Sequence, residues 1–284
     1  MGLSTYNQQE IPSFMYGTAW KKDETQRLLE MAVESGFKAI DTANQLIHYN
    51  EAGVGDALLS LYKKGFKRES LFLQTKFTNT NGQDHRTPYD AYAPLSTQVR
   101  QSFESSLKHL HSDYLDSYVL HGPYSRHGLS EADFEVWAAI EEIYKSGKSK
   151  IIGVSNVSAG QLSELCRKAK TMPMLVQNRC YAITGWDHEV RSLCREHKII
   201  YQGFSLLTAN SQVLSHPYIQ SIARRLSATP EQVIFKFSML IGMLPLTGTS
   251  NPEHMKEDLA AERLDLTKQE VEKIEMIASA GKNV

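Results

Sequence analysis

The sequence predicts an α/β protein built as a (β/α)8 TIM barrel. Three observations carry that expectation. Short apolar runs alternate with longer amphipathic ones, and the alternation repeats eight times. Several of the short runs are apolar throughout, as strands buried on both faces of a parallel sheet should be. The length of 284 residues fits one such barrel. No linker, low-complexity tract or composition break divides the chain, so residues 1–284 read as a single barrel domain.

The strand-like runs are FMYGTA at 14–19, FKAIDTA at 37–43, LFLQTKF at 71–77 and SYVLHG at 117–122. IIGVSN at 151–156, MLVQNR at 174–179, IIYQGF at 199–204 and MLPLTG at 243–248 complete the eight. Helical segments lie between them. KDETQRLLEMAVESGF sets Leu28, Leu29, Ala32 and Val33 on one side and closes near Ser35-Gly36. LSTQVRQSFESSLKHL follows with apolar residues at helical spacing. FEVWAAIEEIYKSGK aligns Phe134, Trp137, Ile140 and Ile143, with Gly147 as a stop. That alignment makes Trp137 a core residue. GQLSELCRKAK, DHEVRSLCREHK and SIARRLSATPEQVIFKFSML continue the pattern. In the last of these, Thr229-Pro230 marks a fresh helix start, with Thr as cap and Pro at the first helical position. Two longer polar connections, 79–94 and 123–129, follow the third and fourth runs, on the face where barrel sites form.

Composition excludes several function classes. Hydrophobic residues make up 41% and charged ones 22%, an ordinary globular balance. The net charge of -1 predicts neither nucleic acid nor a membrane surface as partner. Cys166, Cys180 and Cys194 are odd in number and form no CxxC, which argues against a disulfide framework. The start has no secretory pattern, and Gly2 with Ser4 lacks the Ser or Thr at position 6 that acylation needs. No run approaches the ~18 apolar residues of a membrane span. A cytoplasmic location is expected. His109 and His111 have the wrong spacing for one helical face, so no metal site is expected.

Four residues at the ends of apolar runs carry the chemistry: Asp41 in KAIDTAN, Tyr49 in IHYNEAGVG, Lys76 in LFLQTKF and His121 in SYVLHGP. Reduction of a carbonyl needs a positioned acid for the developing alkoxide. A free phenol has a pKa near ~10, and a nearby ammonium favours its ionised form. A carboxylate paired with the same lysine holds it charged and oriented. A histidine N–H can hold the substrate oxygen. No metal is required.

With KAIDTAN…NEAGVGDAL, LFLQTKF, DYLDSYVLHGP, KIIGVSN and LPLTGTSNPEHMKEDL in this order, the chain resembles the aldo-keto reductase family. The resemblance runs nearly end to end, from PSFMYGTAW to the helix after LPLTGTS. It implies a (β/α)8 barrel, usually monomeric, with a nicotinamide cofactor extended across the C-terminal mouth and a small-molecule carbonyl substrate. The GxGxxG of the Rossmann fold is not part of that pattern and is not found here.

Carried over residue by residue, Asp41, Lys76 and His121 match the family's acid, lysine and histidine. Ser155, Asn156 and Gln177 resemble the groups that bond the nicotinamide carboxamide. Phe204 stands where an aromatic stacks on the nicotinamide, and Ser205 and Leu207 where the pyrophosphate is lined. Thr249, Ser250, His254, Glu257 and Asp258 fall in the adenosine-end segment. Gly17, Thr18 and Trp20 match the first strand's contribution to the mouth.

The chain departs from the pattern at four places. The tyrosine that the family sets five positions after the aspartate is Leu46 here, and Asn50-Glu51 arrives two residues late. A two-residue insertion accounts for both and makes Tyr49 the acid, with His48 as its rival. Leu46 and Ile47 are then expected to enlarge an apolar substrate surface. Gly248 and His254 replace a lysine and an arginine common in the adenosine-phosphate loop, so NADPH is favoured but NADH stays open. Gly122 follows His121 where a bulky aromatic is common, and the sequence stops soon after KIEMIASAGKNV, short of a long closing loop. Both point to an open mouth that takes bulky carbonyls. Two other readings remain: a nicotinamide-binding sensor or channel-associated subunit with little turnover, and a lyase working through a Schiff base on Lys76.

Overall fold

The apolar runs fold as short strands that close into a barrel, and the amphipathic runs cover it. The computed structural model describes residues 3–278. Gly2 and the end of the KIEMIASAGKNV tail, residues 279–284, lie outside the described residues.

In chain order the elements are β1 (Leu3–Ser4), β2 (Glu10–Ile11), β3 (Met15–Gly17), α1 (Thr25–Ser35), β4 (Ala39–Asp41), α2 (Glu51–Lys63), β5 (Phe72–Phe77) and α3 (Leu95–His109). Then come β6 (Leu115–Leu120), α4 (Glu131–Lys145), β7 (Ser149–Ser155), α5 (Ala159–Lys168), β8 (Leu175–Arg179), α6 (His188–Glu196) and β9 (Ile200–Phe204). Three helices, α7 (Ser211–Leu214), α8 (Pro217–Leu226) and α9 (Pro230–Leu240), lead to β10 (Met243–Thr247), which α10 (Pro252–Ala260) and α11 (Lys268–Met276) follow. Strands β3 to β10 are all parallel and close into a barrel in the order β10-β3-β4-β5-β6-β7-β8-β9. Each of the eight expected runs supplies one of these strands.

The helix signals act as their chemistry requires. Gly36 ends α1 in the left-handed region at φ 119°, a conformation that only glycine adopts without strain. Thr229 caps α9 with Pro230 in the first turn, and Gln232 closes the capping box. Trp137 is buried and its Nε1 donates to the Thr171 carbonyl, so it is core, as its stripe implied. The antiparallel pair β1–β2 and helix α2 were not expected. Gly53 and Gly55 in the first turns of α2 weaken the helical signal there.

The core has two compartments. One lies between the strands and the helices. The other fills the barrel's lower interior with Met15, Ala39, Phe72, Val119, Ile151, Leu175, Ile200 and Leu244. Ile11 of β2 joins this second cluster, with Leu3 and Tyr6 packed against it, so the β1–β2 pair stoppers the barrel at the N-terminal ends of its strands. The Tyr6 hydroxyl donates to the Met172 carbonyl at 2.6 Å and pins the stopper. The opposite end is open, and the two long connections rise from it. Among the described residues no helix is long and apolar enough to cross a membrane.

Gly55 shows how tightly the outer layer is packed. A Cβ at this position of α2 would run into the His109 carbonyl at the end of α3. Gly55→Ala is therefore expected to destabilise the fold by ~1–3 kcal/mol despite alanine's better helix propensity. Urea unfolding measures it, and an unchanged midpoint would show that α2 and α3 are not this close.

Candidate active site

At the C-terminal ends of the strands a cavity of about 1040 Å3 opens. Asp41, Tyr49 and His121 all line it, and Lys76 stands just behind its wall. The parallel register explains the convergence. Asp41 of β4 pairs with Gln74 of β5, and alternation puts Lys76, two residues on, on the same inward face.

Lys76 is fully buried. Its Nζ donates to Asp41 Oδ1 at 2.6 Å and to the Thr42 carbonyl at 2.8 Å. Burial lowers the ammonium's pKa, and Asp41 opposes that shift. Asp41 is itself held: its carbonyl accepts from both the N–H and the hydroxyl of Thr18 at 3.0 Å. Thr75, beside Lys76, donates to the buried Glu51 of α2, whose other oxygen meets His109 Nδ1 at 2.9 Å. This ties the start of α2, which follows the Tyr49 loop, to β5.

The Lys76 Nζ lies 5.2 Å from the centre of the Tyr49 ring, and the His121 ring lies 6.0 Å from it at 68°. The Tyr49 hydroxyl makes no hydrogen bond among the described residues and is open to the cavity. The expectation that the ammonium would lower the phenol's pKa is corrected here. Burial, reinforced by the negative charge of Asp41, raises it instead, so the phenol keeps its proton at neutral pH. His121 Nδ1 meets the Thr78 hydroxyl at 2.6 Å. Burial first, then the charge of Lys76, holds the ring's pKa well below its usual value. It is a neutral imidazole.

His48 is the other imidazole in the mouth, its ring 4.1 Å from that of the exposed Trp20. Gln45 Nε2 donates to the Gly82 carbonyl, which turns Gln45 Oε1 toward His48 Nδ1 at 2.8 Å. That fixes the ring's proton on Nδ1 and leaves Nε2 without one. Burial also lowers the pKa of His48.

Ser155, Asn156 and Gln177 meet on one wall of the cavity. The Ser155 hydroxyl donates to the Gln177 carbonyl at 2.6 Å, and Asn156 Nδ2 donates to the His121 carbonyl and to Ser155 Oγ. Gln177 Nε2 is turned inward, onto Asp41 Oδ1 at 3.1 Å and Gln202 Oε1 at 2.6 Å. What remains free on this wall is a pair of acceptors, Asn156 Oδ1 and Gln177 Oε1. Gly17, Trp20, Gly122, Phe204, Ser205, Leu207, Thr249, His254, Glu257 and Asp258 also line the cavity.

Four residues expected at the site stand outside it. Thr18 is buried behind Asp41 and supports its backbone. Ser250 is exposed beyond the rim. Leu46 and Ile47 are 43% and 40% exposed and do not line the cavity, although their neighbours Gln45, His48 and Tyr49 do. The two inserted positions turn the loop outward there, so the apolar wall expected of Leu46 and Ile47 is not formed.

Several lining or supporting residues were not anticipated. Lys21 reaches across to the Gly248 carbonyl at the end of the cavity where the resemblance leads one to expect the adenosine. Arg179 ends β8 at the cavity, with Nε donating to Ser205 Oγ at 3.3 Å and no carboxylate partner among the described residues. Glu231 joins Glu257 and Asp258 to make that end acidic. Gln74 and Gln202 lie beneath Asp41. They follow from period 2: Gln74 precedes Lys76 by two, and Gln202 precedes Phe204 by two.

The model of the Aldo/keto reductase family matches residues 1–279 of this sequence. The chain belongs to the aldo/keto reductase family. An uncharacterized oxidoreductase of Bacillus subtilis (strain 168) is 28% identical to this reductase over 275 residues, covering 96% of this chain and 91% of its own. Glyoxal reductase of the same organism is 28% identical over 277 residues, covering 97% and 92%. The crystal structure of an aldo/keto reductase from Brucella melitensis superposes with a TM-score of 0.83 at 26% identity, over 98% of this chain and 99% of that one. The reductase is thus an NAD(P)H-dependent enzyme of this family by sequence and by fold.

Asp258 offers a test of the site's electrostatics. Burial pushes its carboxyl up to about 6, against the opposing hydrogen bond from Thr247 and charge of His254, with Glu257 and Glu231 adding to the rise. A carboxyl raised above its unfolded value favours the fold while protonated, and that contribution is lost as pH rises from about 4 through about 6. Asp258→Asn is therefore expected to stabilise the protein by on the order of 2 kcal/mol at about pH 8, the difference vanishing below about pH 4. Denaturant unfolding at the two pH values checks it, and equal stability at both would contradict the burial of this charge.

Proposed function

We propose that the protein reduces aldehydes and ketones to alcohols with Tyr49 as the proton donor, Lys76 and Asp41 as the pair that tunes it, and His121 as the group that orients the carbonyl oxygen. The observation that carries this reading is the convergence of a neutral phenol, a buried ammonium–carboxylate pair and a neutral imidazole on one cavity. The relative named a glyoxal reductase agrees with carbonyl reduction.

A reduced nicotinamide, when bound, supplies the hydride. The residues present fit that group. Asn156 Oδ1 and Gln177 Oε1 are two free acceptors on one wall, which suits the two N–H bonds of a primary carboxamide. Phe204 offers an aromatic face, and Ser205 with Leu207 lines the passage toward the adenosine end. In the tautomer that this reading uses, Thr78 donates to Nδ1, and the neutral His121 carries its proton on Nε2, where it can donate to a carbonyl oxygen. The free Tyr49 hydroxyl then supplies its proton to that oxygen as negative charge develops. The phenolate left behind lies beside the Lys76 ammonium, which stabilises it in a site of low dielectric. Asp41 keeps that ammonium charged although burial opposes it. His48 is the weaker acid, because its proton is committed to Gln45.

Substrate size is read from Gly122. A Cβ there would meet only Asn156 at 3.7 Å and the Ser155 carbonyl at 3.8 Å, so glycine leaves room that a larger residue would take. With Trp20 on the rim, this favours bulky apolar carbonyls. The reading also keeps the protein as a cytoplasmic monomer. The sensor alternative predicts nicotinamide binding with almost no turnover.

Two measurements test the proposal. Tyr49→Phe should lower kcat by roughly 10²- to 10⁴-fold while leaving the Kd for NADPH unchanged. Full turnover in that variant removes Tyr49 from the role, and no turnover by the wild type on a panel of aldehydes and ketones favours the sensor. NADPH should show the lower KM of the two cofactors, by a modest factor, because Lys21, Thr249 and His254 face three carboxyls at the adenosine end. A clear preference for NADH would overturn that choice.

A further inference from the structure

Beneath the cavity, Asp41 and three glutamines form a closed ring across the barrel. Gln74 Nε2 donates to Asp41 Oδ1 at 2.8 Å and to Gln202 Oε1 at 2.9 Å. Gln177 Nε2 donates to the same two oxygens, at 3.1 and 2.6 Å. Both N–H bonds of the Gln74 and Gln177 amides are thereby used; Gln202 Oε1 accepts twice, and Asp41 Oδ1 accepts three times with the bond from Lys76 Nζ. All four residues are buried, and Gln74 and Gln202 are fully so.

The ring is not what a core built for stability would contain. Gln74 Oε1 has no partner among the described residues, and Gln202 Nε2 faces only the sulfur of Met15. A buried acceptor left unpaired is destabilising, and apolar side chains of similar volume would avoid that. What the ring does achieve is direction. With both of its N–H bonds drawn inward, the Gln177 amide has one orientation, nitrogen toward Asp41 and oxygen toward the cavity.

We propose that Gln202 and Gln74 are positioning residues that fix the Gln177 amide for nicotinamide recognition and join that recognition to the Asp41–Lys76 pair. This rests on the function proposed above. Without the Gln202 acceptor, Gln177 Nε2 loses the shorter of its two bonds and keeps only the 3.1 Å one to Asp41 Oδ1, so the amide is held less firmly against turning about its last bond. Turned, it presents N–H bonds to the cavity, where they oppose the N–H bonds of a carboxamide. Gln74 acts one step further away, because its loss frees Gln202 but leaves Gln177 both of its acceptors. The effect of Gln202 must therefore pass through Gln177 and be the larger of the two.

The test is direct binding of NADPH, followed by quenching of the protein's tryptophan fluorescence, with thermal melting alongside. Gln202→Met removes the acceptor at similar volume and should raise the Kd by roughly five- to tenfold, while the melting temperature stays level or rises. Gln74→Met should raise it less. In a Gln177→Met background, Gln202→Met should add no further loss. An unchanged Kd in Gln202→Met, or losses that simply add in the double variant, would overturn the proposal. If Gln202→Met does not fold, Gln74→Met carries the same test, and an unchanged Kd there overturns it. Failure of the wild type to bind NADPH would instead remove the reading of function beneath it.

Discussion

The buried contact between Lys76 and Asp41 is the constraint around which the upper barrel is built. Two charges removed from water are stabilising only if nearly every remaining lone pair and proton finds a partner. Five strands supply partners for the pair, although Gln74 Oε1 is left unpaired among the described residues. β5 supplies the ammonium and one amide, and β4 supplies the carboxylate. β3 leads into Thr18, which grips the Asp41 backbone, and β8 and β9 add the other two glutamines. The apolar layer below excludes water from this polar layer. The barrel interior is thus divided by height, with its lower part holding the strands together and its upper part holding charge in place.

Much of this was legible in the sequence because two kinds of signal agreed. Eight apolar runs with helices between them define a parallel barrel, and groups such as Asp41, Lys76 and His121 fall at run ends, where a barrel opens. Tyr49 was legible only through the position of Asn50-Glu51. The failures share a physical cause. Leu46 and Ile47 sit in a loop, and no periodicity says which way a loop side chain turns. Thr18 lies at a strand's end, where a single residue decides between facing the cavity and supporting a neighbour. The direction of the phenol's pKa differs from expectation because motifs at run ends indicate that Tyr49 and Lys76 meet, whereas burial belongs to the assembled fold. Gln74 and Gln202 were readable by alternation but look like ordinary strand polarity until the other side of the barrel is known.

The adenosine end shows a different balance. Lys21 and Arg179 bring cations to the cavity from β-strand ends far apart in sequence, while Glu231, Glu257 and Asp258 gather on one side. Both signs of charge therefore line the cavity together with the aromatic Trp20 and Phe204, and the Arg179 guanidinium lies 5.8 Å from the centre of the Phe204 ring.

The stopper formed by β1 and β2 has a consequence for the reaction cycle. In the proposed mechanism each reduction takes one proton from Tyr49, and that proton must be restored from bulk water. Among the described residues Ile11 and Tyr6 close the lower end beneath an apolar layer, and Tyr49 faces the cavity at the other end. Recharging of the phenol has to use the same doorway as the alcohol leaving it. Product departure and reprotonation are then successive uses of one passage, and a slow-leaving alcohol delays both.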